Sequence, residues 1–128
     1  MTIAGKIEDH QALCQPHMLR LRMIAHDEAG TALTWQAVTD VIQATGAILA
    51  EAKAAGSDVR AAGGGPGAAT FLGVRLSRLT AAANDAIAAA GEGDSGQLRR
   101  HLHRFEVLTS AIWTVQQAVS GPDRGRPR

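Results

Sequence analysis

Aromatic side chains are scarce in this chain of 128 residues, which has two Trp, two Phe and no Tyr. That scarcity excludes a core built on aromatic bulk, and it leaves no aromatic stripe on which unpaired bases could stack. A single cysteine, Cys14, excludes an internal disulfide and agrees with a reducing compartment. Net charge is only +1 with histidine neutral, so no global field draws the protein to DNA or to anionic lipid. No apolar run is long enough to span a bilayer, and no charged leader precedes an apolar stretch. A cytoplasmic protein with no membrane partner is therefore expected. Lysine is nearly absent as well, and the abundance of Arg, Ala and Gly resembles the composition of GC-rich bacterial genomes.

What the chain does have is helical periodicity in four stretches. From Thr34 to about Ala55, the residues Trp35, Val38, Ile42, Thr45, Leu49 and Ala52 recur at steps of three and four, which places them on one helix face. Thr34 supplies an N-cap, and Gly56 stands where a helix commonly stops. From about Ser95 to Ser120, the same spacing selects Leu98, His101, Leu102, Phe105, Leu108, Ile112, Val115 and Val119, closed by Gly121-Pro122. A third stretch, about Ala68 to Ala90, carries Leu72, Leu76, Leu79, Ala83 and Ile87 among many alanines. The first stretch is mixed: Ile7, His10, Cys14, Leu21 and Ala25 fit a helix, while Leu19, Leu21 and Met23 alternate with arginines as a strand would. No second strand-like segment exists to pair with it, so a helix kinked or restarted near Pro16 is the expectation.

These elements predict an all-α, antiparallel four-helix bundle in one domain over 1–120, followed by a disordered basic tail at 121–128. The Gly- and Pro-rich segment Gly56 to Gly67 reads as a flexible connection; it has no GxxxxGK[ST] pattern and no preceding strand. Twenty-five alanines make the core of a lone bundle thin. A homodimer or higher oligomer is therefore expected, acting as a small interaction or accessory protein.

The alternative is a ligand-binding protein or enzyme with an inter-helical pocket. His10, Cys14 and His17 fall on one arc of the first helix and make a candidate metal set, because imidazole and thiolate suit transition metals. Their spread over two turns, and the lack of any Glu-x-x-His pair, count against a single centre, and no cofactor class is singled out. His17 and His101 are the candidate acid/base groups, since an inward-facing imidazole titrates near neutrality. Trp35, Phe105 and Trp113 would wall an apolar pocket. Arg99, Arg100 and Arg104 cluster with His103 in the first turns of the fourth helix, where positive charge opposes the macrodipole. Nearby acids (Glu92, Asp94, Asp27 and Glu28) would neutralise that cluster, or an anionic ligand would occupy it. One short basic patch is too little to support nucleic-acid binding.

Overall fold

Two side chains and one glycine set three of the helix boundaries. Thr34 Oγ1 accepts the Ala37 N–H at 3.0 Å, and Asp94 Oδ1 accepts the Gln97 N–H at 3.0 Å, so each occupies an N-cap and satisfies a donor the first helical turn leaves over. Between the third and fourth helices, Gly93 adopts φ = 74°. Its N–H reaches the Ala90 carbonyl at 3.1 Å while the Asp94 N–H reaches the Ala89 carbonyl at 3.0 Å. This is the Schellman pattern, with glycine at its left-handed position. Asp94 thus closes one helix and opens the next.

The computed structural model describes residues 3–27, 34–61 and 66–120, with side chains at 5–26, 34–61 and 71–118. It contains α1 (Ile3–Asp27), α2 (Trp35–Ala61), α3 (Pro66–Gly91) and α4 (Ser95–Ser120), and no strand among the described residues. None of these helices is long and apolar enough to cross a membrane. The tail expected at 121–128 lies outside the described residues.

Three boundaries differ from the sequence expectation. α1 continues through Pro16 as one helix and does not restart there. Pro16 is exposed, and it lacks the N–H that the Ala12 carbonyl would otherwise accept. α2 does not stop at Gly56 but runs on to Ala61, because Ala55 and Val59 continue its buried stripe. Pro66 opens α3, a position where its missing N–H costs nothing, so the connection predicted for 56–67 shrinks to 62–65, outside the described residues.

All four helices contribute to one buried apolar cluster. Contacts join α1 to α2, α2 to α3, α3 to α4 and α4 to α1, while α2 and α4 also meet across the diagonal; no Cα of α1 comes within 8 Å of one in α3 among the described residues. The diagonal is short because α2 presents small groups there. Gln116 on α4 donates from Nε2 to the Ala52 carbonyl at 3.2 Å, and its amide passes beside Gly56. Among the described residues, nine of the 24 buried apolar ones are alanines, which lets helices approach closely but supplies little bulk. Two buried threonines, Thr45 and Thr109, are satisfied internally by donating to the carbonyls of Val41 and Phe105, each at 2.7 Å.

The orientation of α2 corrects the periodicity reading. Its inward residues are Ala37, Val41, Ala44, Thr45, Ile48, Ala52, Ala55 and Val59. Trp35 is 81% exposed and Ile42 is 47% exposed, while Val38 and Leu49 are half-buried. α2 carries two apolar stripes, and the one richer in alanine faces inward.

Candidate functional site

The polar residues of α1 point to different neighbours. His10 lies half-buried against α2, where Nδ1 contacts Glu51 Oε1 at 2.7 Å and Nε2 contacts Asp58 Oδ2 at 2.9 Å. Glu51 and Asp58 are seven positions apart, so they project from one side of α2 and bracket the imidazole. Burial alone lowers the His10 pKa, but its hydrogen bonds to Glu51 and Asp58, together with their charges, outweigh it and hold the value above 6.5. Further along, Arg20 Nη1 donates to Asp40 Oδ2 at 3.3 Å, and Gln36 donates to the other Asp40 oxygen at 3.0 Å. As α1 advances from 10 to 20, its partner positions on α2 recede from 51 and 58 to 40.

Cys14 is 3% exposed, and burial followed by the charge of Glu51 pushes its pKa up to about 12. A thiol so protonated is neither a nucleophile nor a metal ligand near neutrality. His17 is half-buried elsewhere on α1. His10, Cys14 and His17 therefore do not converge, and among the described residues no group of three or more His, Cys, Asp or Glu side chains is placed to hold a metal ion. The physical reason is that the two His10 nitrogens are already taken by carboxylates from α2.

His101 is half-buried in the first half of α4, in a shallow groove shared with Asp85 of α3 and with Glu92 and Asp94 of the turn between α3 and α4. His17 belongs to α1, which lies across the bundle from α3. The two histidines share no cavity among the described residues, so they do not form one acid/base pair.

The three aromatics expected to wall a pocket are dispersed as well. Phe105 is wholly buried in the core and Trp35 stands in solvent. Trp113 is 5% exposed and closes a cavity of about 60 Å³ that also borders Cys14 and Thr109. That volume is far below the several hundred Å³ of an ordinary small-molecule site.

Arg99, Arg100 and Arg104 are all exposed, and none is within ion-pair distance of an acid among the described residues. The expected neutralisation by Glu92 and Asp94 does not occur as ion pairs: both border the groove that holds His101, and Asp94 Oδ1 caps α4. The side chains of Asp27 and Glu28 lie outside the described set. Arg99 instead faces α1, across a groove it shares with Arg22 and His103. Arg22 is held by Glu106, with Nη2 at 2.6 Å and Nε at 2.8 Å from the same carboxylate oxygen. Glu51, Asp58, Arg22 and Glu106 were not singled out from sequence. The available signal was register: with α1 and α4 lying side by side, positions near 22 and 106 come level.

A second groove, of about 430 Å³, runs between α1 and α2. Pro16, Leu19 and Met23 line one wall, Ala37 the other, and Arg20 with Asp40 bridges it. Leu19 is 54% and Met23 55% exposed, and Leu13, on the same helix, is 58% exposed. Comparison with protein-family models, with curated proteins and with solved structures finds no match.

Proposed function

We propose that this chain is a non-catalytic helical interaction protein of a bacterial cytoplasm, and that it pairs with a second copy of itself through the outer face of α1 and α2. Its folded unit is an antiparallel four-helix bundle with α1 bent at Pro16, where the Ala12 carbonyl has no N–H to accept. The observation that carries this reading is the apolar groove between α1 and α2, with Leu19 and Met23 left more than half exposed along it.

A second copy fits this face for two reasons. The groove has apolar ridges of its own beside it, so a two-fold partner can place its Leu19 and Met23 where these residues need cover. Its central charges, Arg20 and Asp40, are already paired, so two copies meet without net repulsion. Trp35, which begins α2 between the groove residues Thr34 and Gln36, adds exposed aromatic surface at one end. Aromatic and Met side chains are enriched at such interfaces.

Sedimentation velocity on the wild type and on the Leu19→Glu/Met23→Glu double variant tests the reading. Full burial of a Leu or Met side chain is worth roughly 1.5–3 kcal/mol, so the two substitutions together should weaken the dimer by about 100-fold or more. Far-UV circular dichroism should stay helical, because both positions face solvent within one chain. A wild type that sediments as a monomer at every concentration, or a double variant that remains dimeric, would exclude this interface.

A further inference from the structure

The other side of α1 offers a different surface. α1 and α4 enclose a groove of about 380 Å³ whose floor is apolar, formed by Leu21, Ala25 and Leu102. Leu21 and Leu102 are 2% and 4% exposed, so this floor is part of the packed core and not a mobile flap. The volume falls at the lower end of the range for small-molecule sites.

Charge on the rim is uneven. Arg22 and Glu106 satisfy each other, which leaves that pair close to neutral. Arg99 and His103 also line the groove, and neither has an ion-pair partner among the described residues. Both lie on one face of α4, four positions apart. The result is a shallow apolar trough rimmed by the Arg99 guanidinium, the His26 and His103 imidazoles and the internally neutralised Arg22–Glu106 pair.

We propose that this groove binds a small amphipathic carboxylate, an acyl or aryl acid with its hydrocarbon on Leu21, Ala25 and Leu102 and its carboxylate on Arg99 and His103. A planar guanidinium donates two parallel hydrogen bonds to a carboxylate, which fixes the ligand's polar end. The Arg22 guanidinium is already taken by Glu106, so the ligand's carboxylate is directed to Arg99 rather than to Arg22. A bare inorganic anion would leave the floor wet, and a neutral hydrocarbon would leave Arg99 without a partner. The site lies on the α4 side of α1 and does not depend on self-association.

Isothermal titration with decanoate at pH 6 and low salt tests this, with 1-decanol and inorganic phosphate as comparators. Saturable binding of one decanoate per chain is expected, about tenfold or more tighter than either comparator. Arg99→Gln should weaken it by about tenfold while the circular dichroism is unchanged, since Arg99 is exposed. The Leu19→Glu/Met23→Glu variant should bind decanoate as the wild type does. The proposal is overturned if decanoate shows no saturable binding, if 1-decanol or phosphate binds as tightly, or if Arg99→Gln leaves the affinity unchanged.

Discussion

His10 is the residue whose chemistry is most constrained by geometry. A neutral imidazole has one N–H, yet both ring nitrogens of His10 lie within hydrogen-bond distance of carboxylate oxygens. Only the imidazolium can donate to both. Because its pKa is raised on folding, the stabilisation is fully present below the unfolded value near 6.5 and fades as pH rises through the folded value. No titratable side chain of α4 enters the hydrogen bonds or charges acting on His10; the groups that do are Glu51 and Asp58 of α2. His10→Gln should therefore cost on the order of 1 kcal/mol at pH 6 and clearly less at pH 9, read from urea unfolding at the two pH values. Equal losses at both would show that the ring is neutral and its role steric. Cys14 provides a second test, for a thiol with a pKa near 12 should resist a disulfide reagent at pH 8 until the chain unfolds. Labelling in urea should be faster by roughly two orders of magnitude or more. From sequence, His10 and Cys14 stood out for lying on one inward arc, and both do face neighbouring helices. Their roles were not legible, because the acids that decide them lie 41 and 48 residues away from His10.

At the scale of the element, glycine is ambiguous punctuation, and only the backbone tells which glycine ends a helix. Gly56 looked like a stop, but α2 continues past it because Ala55 and Val59 keep the buried stripe going. Gly93 is the true terminator, held in the left-handed region by the turn into α4. The two should respond oppositely to the same substitution. A Cβ at Gly56 would meet Gln116 at 3.8 Å and Leu76 at 3.9 Å, ordinary contact distances, so Gly56→Ala should gain about 0.5–1 kcal/mol through helix propensity. Gly93→Ala forces an L-residue into positive φ and should lose about 1–2 kcal/mol, although nothing crowds the new methyl. Thermal melts of the two variants would settle the pair: shifts of the same sign would contradict the boundary assigned here. Element number and type were legible because the 3.6-residue period survives in every helix. The rotation of α2 was not, since two apolar stripes compete and packing against α1, α3 and α4 decides between them. Trp35 and Ile42 lost that competition to Ala37, Val41 and Ile48.

Across the whole molecule, the alanine content that favours close helix approach also limits how much each helix can bury. Among the described residues, nine of the 24 buried apolar ones contribute a single methyl each, while Leu13, Leu19, Met23 and Trp35 remain at least half exposed. A core of small residues surrounded by large exposed ones reverses the usual economy of a small domain, and covering those side chains by association is the direct remedy. If association supplies part of the folding free energy, stability must depend on protein concentration, because only the folded state dimerises. The melting temperature of the wild type should then rise across a hundredfold increase in concentration. Each kcal/mol gained is worth roughly 3–6 °C in a domain of this size. In the Leu19→Glu/Met23→Glu variant the same dilution series should be flat, and its melting temperature should match that of the wild type at its most dilute. A flat series for the wild type would mean that the alanine-rich core is sufficient by itself, and the exposed face of α1 would have to be covered by something other than a second copy.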